Sequence, residues 1–118
     1  MIAGKYRLSG TYYINRAKKN GKMYQFNDFG LCVFKRSEVD DGEPMRFAFV
    51  VSTKVAKHAV DRNRVKRVIS ETVRYEAQHL KTGYDVVFLT KQSIATRQTD
   101  VIMNDTKKAL ATASLLAK

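Results

Sequence analysis

The sequence predicts an α+β fold: a two-layer sandwich of helices on a four-stranded sheet, in the order α-β-β-β-α-β-α. Three observations predict it. Runs rich in β-branched and aromatic residues at 31–37, 45–53 and 84–91 read as strands. Residues 60–81 and the last twenty carry apolar side chains at helical spacing. The 118 residues, 44% of them hydrophobic, suit a single core, so residues 1–118 are read as one domain.

The elements follow in order. "TYYINRAKKNG" (11–21) holds poor helix formers, but Gly21 supplies a helix stop, and a helix is expected there. A short strand follows near "YQF" (24–26), then the strand "LCVFKRS" (31–37). "EVDDGEP" (38–44) is a turn. Its Asp41-Gly42 pair predicts a hairpin, with "MRFAFVVST" (45–53) as the second arm, apolar enough to be buried on both faces. On the helix over 60–81, Val65, Ile69, Thr72, Val73 and Leu80 share one face; Asn63, Arg67, Ser70 and Arg74 fall opposite, with Arg64 nearby. Asp61 is expected to cap that helix and Gly83 to end it. "YDVVFLTK" (84–91) is the fourth strand. The last helix buries Ile102, Thr106, Ala109, Leu110, Ala113 and Leu116, capped by Thr96 or Thr99.

Charge narrows the partners. There are 22 Lys and Arg against 11 Asp and Glu, a net charge of +11 and a pI of about 10.0. A small domain this basic favours nucleic acid first and an anionic membrane surface second. No aromatic-rich amphipathic helix supports the membrane reading, and no window of 18 apolar residues spans a bilayer. Cys32 is the only cysteine, and no secretory leader opens the chain, so the cytoplasm is the expected compartment.

Catalytic constellations are hard to find. His58 and His79 sit at opposite ends of one helical stretch, roughly 30 Å apart at 1.5 Å per residue, too far to share a substrate. Asp40, Asp41 and Glu43 lack metal-ligand spacing and read as a solvated turn. "NDFGLCVF" (27–34) matches an RNA-recognition strand only at Phe29, Gly30 and Phe34, so these aromatics read as core. Neither a catalytic residue nor a metal ligand is expected in this chain. The hexamer Arg62-Asn63-Arg64-Val65-Lys66-Arg67 is different. It holds four cations and no anion, and Glu71 is the one acid at i+4 spacing, paired with Arg67. With Lys54 and Lys57 it follows a strand and opens a helix, where the helix dipole and free N–H groups already attract phosphate.

"VVSTKVAKHAVDRNRVKRVISE" (50–71) resembles the signature of the bacterial ribonuclease P protein component. The residues that carry the resemblance are Ser52, Lys54, Ala59, Arg62, Asn63, Arg64, Val65, Lys66 and Arg67. "GYDVVFLTKQSIA" and the final helix match the family's tail, so the resemblance covers about residues 45 to 116. It implies a ribosomal-protein-like sandwich with a left-handed β-α-β crossover, against the usual right-handed rule. It implies one RNA-binding domain that assists a catalytic RNA in releasing the 5′ leader of precursor tRNA, an endonucleolytic hydrolysis carried by Mg²⁺ held mainly by that RNA. The implied partners are the ribonuclease P RNA and precursor tRNA, with no obligate protein partner. RNA-binding residues would be Ser52, Lys54, Lys57, Arg62, Asn63, Arg64, Lys66 and Arg67. The family lines a leader-binding cleft with aromatics on its first helix; here those positions hold Ile14 and Lys18. Tyr12, Tyr13, Lys18 and Phe26 are the expected cleft residues. The alternative is a structural-RNA binder, of the ribosome-associated kind, with no part in hydrolysis.

Overall fold

The computed structural model describes residues 4–116. Helix α1 (Thr11–Asn20) is followed by strands β1 (Lys22–Gln25), β2 (Phe29–Lys35) and β3 (Arg46–Val50). Helix α2 (Ala59–Tyr75), strand β4 (Tyr84–Thr90) and helix α3 (Thr99–Thr112) complete the order predicted. The four strands form one mixed sheet in the order β1-β2-β4-β3, with β3 and β4 parallel and the other pairs antiparallel.

Alternation along the strands separates two faces. Phe29, Leu31 and Val33 of β2, Phe47 of β3 and Val86 and Phe88 of β4 point to one side. They meet Val65, Ile69 and Val73 of α2 and Ile102, Ala109 and Leu110 of α3 in the main core. The second face carries Cys32, Ala48 and Val87, which pack with Leu8 and with Ala17 of α1. α1 therefore lies across β2 and β4 on the side opposite α2 and α3. Gly21 makes that approach possible: a Cβ there would lie 2.4 Å from Ala17 O and 2.9 Å from Val33 O.

The hairpin expected at Asp41-Gly42 is not formed. Gly42 does turn the chain (φ 74°), but β2 and β3 are not neighbours. β4, with Asp85 to Phe88 all buried, takes the central place between them. The 36–45 connection instead arches over the start of β4. Gly83 N–H donates to Glu43 O at 3.0 Å, and Arg36 N–H donates to Gly83 O at 3.0 Å. The Arg36 side chain ties the arch down, donating to Glu43 O, Pro44 O, Tyr84 O and the carboxylates of Asp41 and Asp85.

α2 is shorter than its periodicity predicts. It ends at Tyr75, and a 3-10 turn (Ala77–His79) follows. Leu80 is drawn out of helical register by a bridge to Leu116, and Lys81 N–H donates to Leu115 O at 2.9 Å. Ser70 is buried, not on the wet face, and its hydroxyl donates to Arg67 O at 3.1 Å. The buried arc is wide because α2 touches both β3 and α3. Neither Thr96 nor Thr99 caps α3; the capping position is Gln98 and makes no side-chain cap bond.

Candidate nucleic-acid interface

The candidate interface begins where β3 leaves the sheet. Ser52 O accepts from the N–H groups of Val55 and Ala56 at 3.0 and 3.4 Å, folding residues 52–56 into a tight turn. That turn exposes Ser52, Lys54 and Lys57 beside the first turn of α2. His58, not Asp61, occupies the capping position, in extended backbone and without a side-chain cap bond. Asp61 lies inside the first turn, where a negative charge favours the helix dipole.

The hexamer divides into two kinds of residue. Asn63, Lys66 and Arg67 are exposed, while Val65 is fully buried and holds this stretch on the core. Arg62 and Arg64 are half-buried and engaged with backbone. Arg62 Nη1 donates to Ala56 O (3.0 Å) and Lys57 O (2.9 Å), fastening the basic turn to the helix. Arg64 donates to Arg97 O (2.9 Å), Ala95 O (3.3 Å) and Thr99 Oγ1 (3.4 Å), closing the 3-10 turn Gln92–Thr96 that leads into α3. The expected Arg67–Glu71 pair is replaced: Glu71 Oε1 accepts from Arg74 at 2.7 Å, and that guanidinium pulls the Glu71 carboxyl down to about 2. Among the described residues, none of Lys54, Lys57, Arg62, Arg64, Lys66 and Arg67 forms an ion pair with a carboxylate. This end of α2 therefore holds six cations that pair with no carboxylate among the described residues, beside the single acid Asp61.

A second surface lies on the sheet face that α1 only partly covers. α1 sits over the end where β3 and β4 begin. The other end stays open, with Val50 and Leu89 half-buried and Met23 45% exposed. Ile14 lies on the edge of α1 near Val50, and Lys18 is close enough to Cys32 that its charge acts on the thiol. Burial raises the Cys32 pKa and Lys18 partly offsets it. Cys32 Sγ contacts Met23 Sδ at 3.9 Å.

The four residues expected in one cleft are not together. Phe26 packs on Phe29 (ring centroids 5.4 Å apart) on the α2/α3 side, because its strand has ended and the chain turns there toward the main core. Tyr12 and Tyr13 sit edge to face, 5.1 Å between centroids, at the opposite end of the face from Lys54. The guanidinium of Arg16 lies 5.2 Å and that of Arg46 5.3 Å from the Tyr13 centroid. Only Lys18 remains beside the open half. Met23, Gln25 and Leu89 lie on the same face as Cys32 and Gly30, an arrangement that only the sheet register shows.

Beneath the tyrosines is a charge network that the sequence did not announce. The Asp85 side chain is fully buried and accepts from Arg16 (3.1 Å), Arg36 (2.8 Å) and Arg46 (2.9 Å). Burial works to raise its pKa, but the bonds and charges of Arg46 and Arg36 prevail and hold the carboxyl below the usual range. Arg16 Nε has no hydrogen-bond partner, and its guanidinium stacks 4.5 Å from the Phe34 centroid.

A family model described as Ribonuclease P matches residues 2–114. The chain belongs to the ribonuclease P protein family. It is therefore the protein subunit of an endoribonuclease, and the structural-RNA alternative is not favoured. It is 32% identical over 113 residues to the ribonuclease P protein component of Clostridium kluyveri, covering 93% of this chain and 96% of that one. Its identity to the Fusobacterium nucleatum component is 30% over 105 residues, covering 82% and 91%. The RNase P protein of Staphylococcus aureus superposes with a TM-score of 0.84 at 25% identity, over 94% of this chain and 97% of that chain. The Thermotoga maritima protein shares the fold, with a TM-score of 0.75 at 22% identity, over 88% and 94%.

Proposed function

We propose that this family member binds the ribonuclease P RNA through the start of α2 and the turn before it, and lays the 5′ leader of precursor tRNA along the open half of the sheet. The cluster of cations without carboxylate partners at a helix start carries the reading. RNA is a polyanion, and each phosphate neutralised releases counterions. Holding two RNAs together costs electrostatic repulsion, which a chain of net charge +11 reduces.

Mg²⁺ belongs with the RNA in this reading. Four of the acidic side chains are engaged within the protein: Asp28 with Arg97 and Ser93, Asp40 with Thr82 and Gly42 N–H, Asp41 with Arg36, and Asp85 with three arginines. Among the described residues no three His, Cys, Asp or Glu side chains converge as metal ligands. The chain's part is to bind and orient, and the RNA and its ion supply the hydrolysis. No helix of the described residues is long and apolar enough to cross a membrane. A cytoplasmic place of action, without an obligate protein partner, fits this reading.

The leader surface is tested in the assembled holoenzyme by comparing precursor affinity for long and very short leaders. Lys18→Ala and Met23→Ala are expected to shrink the long-leader advantage by about 1 kcal/mol each, the scale of one lost contact to a charged or stacked group. Mature-tRNA affinity should stay constant. An undiminished advantage in both variants would remove the leader from this half of the sheet.

A further inference from the structure

Lys54 and Lys57 stand on a turn that belongs to neither β3 nor α2. Binding residues on such a segment depend on the scaffold that positions it. Val55 is half-buried and Ala56 buried, but Ser52, Thr53 and Lys54 are exposed. A side chain from elsewhere reaches the apex: Gln92 Nε2 donates to Lys54 O at 2.9 Å, across 38 sequence positions. Gln92 itself stands on fixed ground. It opens the 3-10 turn Gln92–Thr96, whose Ile94 is fully buried in the main core. On one side of it, Lys91 N–H donates to Asp28 O at 2.9 Å. On the other, Ser93 Oγ donates to the buried Asp28 carboxylate at 2.7 Å, and Arg97 pairs with the same carboxylate at 3.0 Å.

We propose that Gln92 is a positioning residue for RNA binding: it holds the basic turn in the shape that presents Lys54 and Lys57, a role that rests on the reading of this turn and α2 as the RNA contact. The bond acts in two ways. A loop already ordered in its bound shape loses less conformational freedom on binding. The second effect is electrostatic. The carbonyls of Ser52, Lys54, Ala56 and Lys57 all accept hydrogen bonds within the protein. Oxygens satisfied in this way do not confront an incoming phosphate with unmet negative charge. Arg62 engages two of the four and belongs to the hexamer. Gln92 engages the one at the apex, lies far outside the motif and carries no charge.

The test uses Gln92→Met in the whole chain, which keeps the side-chain length and removes the donor. Affinity for the ribonuclease P RNA is expected to fall by about two- to tenfold, the scale of one neutral hydrogen bond. The slope of log affinity against log salt should stay parental, since no cation is lost. Hydrogen exchange should quicken at the Val55 and Ala56 amides, which close the turn, and not at Val86 to Phe88 in the middle of β4. In a Lys54→Gln background the affinity loss should shrink, as it does between coupled residues. Parental affinity in Gln92→Met, a changed salt slope, or exchange quickened throughout the sheet would each overturn the assignment. So would an equal loss with and without Lys54, which would place Gln92 itself against the RNA. If Gln92→Met binds like the parent while Lys66→Gln/Arg67→Gln loses RNA, only the positioning role is wrong. If neither variant loses RNA, the reading of α2 falls with it.

Discussion

Replacing Asp85 by Ala is expected to cost about 3 to 5 kcal/mol of folding free energy, because removing one partner of a buried ion pair strands the others. Three guanidiniums converge on this one carboxylate, and its side chain has no solvent access. Arg36 also holds the arch over β4, and Arg46 and Arg16 stand under the tyrosines, so the variant should loosen both. The pH dependence follows from the direction of the shift. The folded-state pKa lies below the unfolded value of about 3.9, so the stabilisation is complete above that value and is lost as pH falls through the folded pKa. Urea unfolding at neutral and acid pH reads both effects. A variant as stable as the parent at pH 7 would show that the network contributes nothing net.

Lys66→Gln/Arg67→Gln should leave the fold intact, since both side chains are exposed, and should weaken ribonuclease P RNA binding by roughly 1 to 3 kcal/mol per residue. The slope of log affinity against log salt should fall by about 0.7 to 0.9 per cation. Arg62 and Arg64 should behave differently. Their guanidiniums fasten the basic turn and the turn before α3, so their loss should lower stability as well as affinity. Unchanged affinity and slope in the folded double variant would return the hexamer to an ordinary solvated helix face.

Much of the architecture was legible because it depends on local pattern. Strand composition located β2, β3 and β4, and Val65, Ile69 and Val73 marked the buried stripe of α2. The strand order was not legible. Asp41-Gly42 reports a turn, and a turn cannot reveal that β4, more than forty residues on, inserts between the strands it joins. The Asp85 network was invisible for the same reason, with partners 39, 49 and 69 positions away. The basic cluster stood out as a run of one sign. A helical wheel gives each arginine an azimuth but not its neighbours, so the bonds of Arg62 and Arg64 to other segments were out of reach. Tyr12 and Phe26 looked like cleft residues by type; register and packing put them on different surfaces.

The most direct measurement is precursor-tRNA cleavage at low Mg²⁺ by three preparations: the RNA subunit alone, the protein alone, and the two together. Cleavage at the mature 5′ end is expected from the mixture, little from the RNA alone, and none from rigorously RNA-free protein. Cleavage by the protein alone, or no gain when correctly folded protein joins the RNA, would contradict it.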